Sequence, residues 1–248
     1  MTNINIKTNN FWKKYKVGNT NIWFKGYIYN YSLNKIIYIF NDIKKEEISS
    51  FVKSIDGHFG LIVQRLDLTF IVVDKIRSVQ LFFTKIKNNF FIDVDPKRLV
   101  KLNEFNKRIN ENAKLELVMS GFTIGNKTIY EFLYTLKAGE LVFFEHNNYE
   151  YIHYYKYFGK LANKGFEEYL QELTDVTLKI FKKMLHQIGD KQIVIPLSGG
   201  NDSRLIASIL KYLGAKNVKC YTYGTSGNFE AKILKKIAQT LGFEWKFI

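Results

Sequence analysis

The chain changes its hydrophobic rhythm once. Up to about Tyr151, apolar residues come in short runs rich in Tyr, Phe, Ile and Val, broken by Gly, Asn and Asp, which reads as strands and turns. Ile22–Tyr29 is one such run. Phe59–Arg65 and Leu68–Asp74 form a hairpin across Leu66-Asp67; Leu81–Thr84 and Phe90–Asp93 form a second around Lys87-Asn88-Asn89. Leu141–Phe144 and Tyr149–His153 flank the turn His146-Asn147-Asn148. Helices are predicted over Lys45–Ile55 and from Pro96, suited to a first helical turn, to about Arg108. Tyr27, Tyr29 and Tyr31 repeat every second residue and read as strand residues packing a sandwich.

From Phe166 the spacing becomes helical. Leu170, Leu173, Val176, Ile180, Phe181, Met184 and Ile188 recur mostly every three or four residues, and Gly189 ends the helix. The run Gln192–Leu197 reads as a buried parallel strand. Leu205, Ile206, Ile209, Leu210 and Leu213 mark a helix up to Gly214. Val218–Tyr223 is a second strand, Phe229–Leu241 a second helix, and Glu244–Ile248 opens a third strand. Strand-helix-strand-helix-strand implies a parallel sheet with right-handed crossovers. Two such regimes bury their apolar faces in different layers, so two domains are expected, 1–152 and 153–248, joined between about His153 and Lys164. The second sheet is small, and the reading expects the chain to be one piece of a longer protein. Its Trp245–Ile248 edge is apolar, so the chain is expected to self-associate, as a homo-oligomer, or to be ordered only through the preceding domain.

Length and charge narrow the classes. At 248 residues the chain can bury a full core without disulfides, and the single cysteine, Cys220, fits a reducing cytoplasm. No apolar run has the length of a membrane span and the first residues carry no secretory signal. The formal charge is +14, but the lysines are scattered with no run of five basic residues, so the charge is not read as a nucleic-acid footprint. The four histidines, His58, His146, His153 and His186, show no metal spacing with one another or with Cys220.

The chemistry gathers in Ser198-Gly199-Gly200-Asn201-Asp202-Ser203, between a buried strand and an amphipathic helix. The glycine pair lets the backbone turn tightly and approach an anion, and the following helix offers free N–H groups and the positive end of its dipole. Ser198 and Ser203 add hydroxyl donors. Asp202 repels phosphate unless Mg²⁺ sits between them. A Walker A loop is excluded, because Asp202 stands where that pattern needs a lysine; Gly121–Thr128 misses the same pattern by an inserted Asn. Arg204 has two open readings, a contact to a phosphate or an acceptor carboxylate, or a solvated first-turn residue.

The loop resembles the pyrophosphate loop of the ATP-pyrophosphatase (PP-loop) superfamily, and Leu197–Ser203 with its preceding helix is similar to the synthetase domain of the asparagine synthetase family. Gly26–Asn30, Asp56–Gly60, Asp74–Phe83, Thr128–Tyr130 and Lys137–Glu140 resemble, in order, that family's glutaminase domain. The resemblance runs from about Trp23 to the last residue and implies an α+β αββα sandwich of the N-terminal-nucleophile (Ntn) hydrolase type. The start of an α/β parallel-sheet PP-loop domain, like the adenine nucleotide alpha hydrolases, would follow. It implies a ligase of the amidotransferase kind: ATP adenylates a carboxylate, pyrophosphate leaves, and an amine attacks the acyl-adenylate. By carry-over, ATP-binding residues are Leu197, Ser198, Gly199, Gly200, Asn201, Asp202, Ser203 and Tyr223. Leu197 meets adenosine largely through its backbone, Ser198, Gly199, Gly200 and Ser203 grip pyrophosphate, Asp202 holds Mg²⁺, and Tyr223 reads adenine.

The chain departs from the family in two places. Thr2 stands where the family has its nucleophilic cysteine, and Lys25-Gly26-Tyr27 replaces the glutamine-gripping Asn-Gly-Glu, so the first domain is read as catalytically dead. The family's later Gly-rich acidic segment, with the second metal carboxylate and the acceptor site, has no counterpart. The expected partners are a small-molecule carboxylate and a separate source of ammonia or another amine. A catalytically degenerate nucleotide-binding or scaffold protein and a PP-loop tRNA-modifying enzyme stand as alternatives.

Overall fold

The computed structural model describes residues 3–159, 162–225, 227 and 229–248. They divide into two compact units, Met1–Gly159 and Lys160–Ile248.

Unit 1 runs β1 (Asn3–Lys7), β2 (Lys13–Val17), β3 (Thr20–Ile28), α1 (Leu33–Asp42), α2 (Lys45–Ser54), β4 (Gly57–Gln64), β5 (Thr69–Val73), β6 (Phe82–Ile86), β7 (Asn89–Asp93), α3 (Pro96–Val100), α4 (Glu111–Ser120), β8 (Leu133–Thr135), β9 (Glu140–Glu145) and β10 (Asn148–His153). The strands form a six-stranded antiparallel sheet, β10-β9-β5-β4-β3-β2, and a four-stranded sheet, β1-β7-β6-β8, in which β1 runs parallel to β7. Strand alternation sets the layers. Phe59, Leu61 and Val63 of β4, Phe70 and Val72 of β5, and Leu141 and Phe143 of β9 share a core with Ile36, Ile37 and Phe40 of α1 and Ile48 and Val52 of α2. The intervening residues, Ile62, Ile71, Val73, Val142 and Phe144, pack instead with Phe83, Phe90 and Ile92 of the smaller sheet. That sheet's other parity, Phe82, Ile86 and Phe91, meets Leu99 and Val100 of α3. The result is four layers, helix-sheet-sheet-helix. Because both faces of β5 and β9 are covered, their sequences are continuous apolar runs, not alternating ones.

Several boundaries differ from the sequence reading. The helix from Pro96 stops at Val100, not near Arg108, and Glu104 then takes a left-handed φ of 66°, which no helix continues through. Tyr29 and Tyr31 lie beyond the end of β3, in the bend that leads into α1. The β-branched sequence of α1 hid a helix, fixed by Ser32 accepting from the Lys35 N–H and by a buried stripe of Ile36, Ile37 and Phe40. Helix α4 left no periodic signal because it buries only Ala113.

Unit 2 contains α5 (Phe166–Ile188), β11 (Ile193–Pro196), α6 (Asn201–Tyr212), β12 (Val218–Thr222), α7 (Phe229–Leu241) and β13 (Glu244–Phe247). The strands form a parallel sheet ordered β11-β12-β13, with Ile195 opposite Cys220 and Cys220 opposite Trp245. Ile195, Leu197, Val218 and Cys220 pack under Ala207 and Leu210 of α6 and Leu234 and Ala238 of α7. Phe181, Met184 and Leu185 of α5 close this core, whereas Leu173, Val176 and Ile180 on the same helix stay exposed. Among the described residues β11 and β13 are the sheet's edges.

Candidate functional site

In a parallel sheet the strands' carboxyl ends share one edge, so the loop after β11 and the segment after β12 lie side by side there. The sheet enters this edge through buried Leu197. Its N–H donates to the Tyr221 carbonyl at 2.8 Å, and its own carbonyl accepts from the Thr222 hydroxyl at 3.0 Å. That hydroxyl accepts in turn from the Trp245 indole N–H at 3.1 Å, so the base of the loop is tied across all three strands.

Within the loop the two serines hold each other. Their hydroxyls lie 3.1 Å apart, and the Ser203 hydroxyl reaches the backbone N and O of Ser198 at 3.0 and 3.2 Å. The Gly200 N–H donates to the Ser198 hydroxyl at 3.3 Å. Gly200 is the N-cap of α6, with φ −68° and ψ 153°, and no side chain caps the helix. That backbone is open to any residue, so the expected need for glycine in a tight turn does not hold at this position. What glycine supplies is space. Among the described residues a Cβ on Gly200 would meet only the Ser198 hydroxyl, at 3.4 Å, with otherwise open volume within 4 Å of it. The first-turn N–H groups of α6, with the helix dipole behind them, face that volume without a side-chain cap.

The structure brings Leu197 to Ser203 together in this one turn. Asn201 and Asp202 are exposed at the helix start, and among the described residues the Asp202 carboxylate has neither hydrogen bond nor ion pair. A carboxylate so placed, beside uncapped amides, is a free hard-oxygen donor for a cation next to a bound anion. Tyr223 follows β12 on the same edge, 72% exposed, its ring 6.4 Å from that of Tyr221. Arg204 is neither free nor fully solvated. Its guanidinium donates to the Gly200 carbonyl at 3.2 Å and to Asn201 Oδ1 at 2.6 Å, which leaves a positive charge against the loop.

Sequence reasoning missed Glu230. This first-turn residue of α7 accepts from the Gly199 N–H at 2.7 Å. An acidic residue in a first turn is common for dipole reasons alone, so nothing in the sequence pointed from Glu230 to the loop. The sequence marks Thr222 only as part of a strand.

In unit 1 the resemblance drew attention to Gly26 and its neighbours. Gly26 has φ 122°, and a Cβ there would lie 1.9 Å from the His58 carbonyl oxygen, so glycine is required for β3 and β4 to approach. Tyr27 is half exposed, and Tyr29 meets the His58 ring edge-on at 5.8 Å. Thr2 lies outside the described residues. Cys220, the chain's one cysteine, is buried in β12, where burial pushes its thiol pKa up and away from nucleophilic use. Among the described residues no group of His, Cys, Asp and Glu is arranged to hold a metal by itself, and no helix is long and apolar enough to cross a membrane.

The family model described as asparagine synthase matches residues 183–248, from the end of α5 through the loop to β13. No curated protein matches the chain. Among solved structures it is similar to glutamine phosphoribosylpyrophosphate amidotransferase from B. subtilis, complexed with ADP and GMP. That likeness has 9% identity and a TM-score of 0.36, over 94% of this chain and 46% of that one. It is also similar to a structure of the allosteric regulatory enzyme of purine biosynthesis, with 10% identity and a TM-score of 0.34, over 94% of this chain and 45% of that one. The chain therefore spans less than half the length of either, and likenesses this slight carry nothing over to it.

Proposed function

We propose that the chain is, or contributes the first part of, an asparagine-synthase-like ATP-dependent ligase that activates a carboxylate for amide formation. The observation that carries this reading is the turn from β11 into α6. An uncapped helix N-terminus, an open volume over Gly200 and two serine hydroxyls converge there, inside the segment matched by the asparagine synthase family model. These residues suit a pyrophosphate group: the amides and hydroxyls donate, and the Arg204 charge lies alongside. Asp202 would hold Mg²⁺, which when bound neutralises phosphate charge and helps pyrophosphate leave. Leu197 and Tyr223 border the same edge and would flank the adenosine.

In the reaction a carboxylate oxygen attacks the α-phosphorus of ATP, the bond to pyrophosphate breaks, and an amine then displaces AMP from the acyl carbon. The amine comes from outside the chain on this reading. Thr2 replaces the nucleophilic cysteine of the family the sequence resembles, and Cys220 is buried in the other unit.

The test is exchange of labelled pyrophosphate into ATP with Mg²⁺ and a panel of small carboxylates. Carboxylate-dependent exchange, followed by amide formation with ammonium but not with glutamine alone, is expected. Nucleotide binding without exchange for any carboxylate would replace the ligase with a binding or scaffold role. Release of glutamate from glutamine would overturn the outside amine.

A further inference from the structure

Glu230 places a carboxylate oxygen 2.7 Å from the Gly199 nitrogen, on the side where a Gly199 Cβ would stand only 2.3 Å from that oxygen. The contact joins the starts of two helices: Glu230 lies in the first turn of α7, and Gly199 immediately precedes the N-cap of α6. Gly199 is a backbone donor of the loop, and its hydrogen is aimed at an anionic oxygen supplied by the chain itself. A carboxylate oxygen and a phosphate oxygen ask the same thing of an amide, a short charge-assisted hydrogen bond. They cannot share one donor, because two anionic oxygens at that distance repel.

We propose that Glu230 is an internal latch, occupying the anion position at Gly199 and released when a phosphate group binds. The proposal rests on the pyrophosphate reading of the loop. The latch hides a donor from adventitious anions and couples the start of α7 to occupancy of the loop. Release moves the Glu230 carboxylate off Gly199, on the same sheet edge as Asp202. Among the described residues, the first-turn N–H groups of α6 and the Ser198 and Ser203 hydroxyls are not engaged by Glu230. A ligand can therefore gain a foothold on these before it displaces the carboxylate.

The test compares the full chain with Glu230→Ala and Glu230→Gln by two readouts. Titration with inorganic pyrophosphate in the presence of Mg²⁺ should show Glu230→Ala binding about tenfold more tightly than wild type, the scale of one charge-assisted hydrogen bond that no longer has to be broken. Glu230→Gln, which keeps an oxygen acceptor but loses the charge, should fall between them. Amide hydrogen exchange at Gly199 without ligand should be faster in Glu230→Ala than in wild type. Equal or weaker pyrophosphate binding by both variants, with wild type binding, would overturn the latch and leave the pyrophosphate site standing. If no protein binds pyrophosphate although Gly199 exchange responds to Glu230→Ala, the site itself fails and the latch with it.

Discussion

The Trp245 indole N–H donates to the Thr222 hydroxyl, and the Thr222 hydroxyl donates to the Leu197 carbonyl, at 3.1 and 3.0 Å. One buried hydroxyl thus ties the edge strand β13 to the base of the Leu197–Ser203 loop. Thr222→Val keeps the shape and removes both bonds, leaving a buried carbonyl and an indole N–H without their partner. Local opening of the sheet, followed by amide exchange at Cys220 and Tyr221, should become easier by about 2 kcal/mol. Thr222→Ser should restore most of it; unchanged protection in Thr222→Val would mean that the hydroxyl does not hold the loop's base.

Gly26→Ala should be far more damaging than its size suggests. The methyl group would sit 1.9 Å from the His58 carbonyl oxygen, and the φ of 122° excludes an L side chain in any case. A loss of about 3 kcal/mol or more, or failure of unit 1 to fold, is expected from urea denaturation. A variant within about 0.5 kcal/mol of wild type, the ordinary scatter of harmless substitutions, would show that β3 and β4 do not approach this closely.

Much of this architecture was legible in the residues, and the failures have physical causes. The hairpin β4–β5 and the helices α6 and α7 announced themselves because burial on one or both faces leaves an uninterrupted or periodic apolar record, while α5 carries the same period although its Leu173, Val176 and Ile180 stay exposed. Helix α1 did not, because Ile36, Ile37, Ile39 and Phe40 are equally at home in a strand and only the Ser32 cap distinguishes them. At the site, Ser198 to Ser203 are contiguous and could be read as a unit. Glu230 is brought to Gly199 from 31 positions away by the β12 crossover, and local spacing cannot report such a meeting. The tight turn for which the sequence singles out the glycine pair is absent at Gly200, where the backbone is ordinary.

Stability of unit 1 should fall at high pH. Burial raises the pKa of Tyr149, Tyr151 and Tyr154 above the ordinary 10.0; a hydrogen bond with Tyr134 adds to it at Tyr149, the negative charges of Tyr149 and Glu140 at Tyr151, and that of Asp74 at Tyr154. A group raised in the folded state keeps its full contribution below the unfolded pKa. It loses that contribution as the pH climbs above about 10, where the unfolded chain gives up protons that the folded chain retains. The urea midpoint followed by circular dichroism should hold up to about pH 9 and then decline, and Tyr151→Phe should make the decline shallower. An identical slope in Tyr151→Phe would show that this ring is not protected from ionisation by folding.

The most direct measurement is calorimetric titration of Mg·ATP into the wild type, Gly200→Val and Asp202→Ala. Among the described residues a Cβ at Gly200 meets only the Ser198 hydroxyl, at 3.4 Å, and the backbone there accepts any residue, so Gly200→Val should fold normally while filling the volume a phosphate needs. Wild type is expected to bind, Gly200→Val to lose about tenfold or more in affinity, and Asp202→Ala to lose the Mg²⁺ dependence. Equal affinity in wild type and Gly200→Val, or no binding by the wild type, would contradict a nucleotide site at this loop.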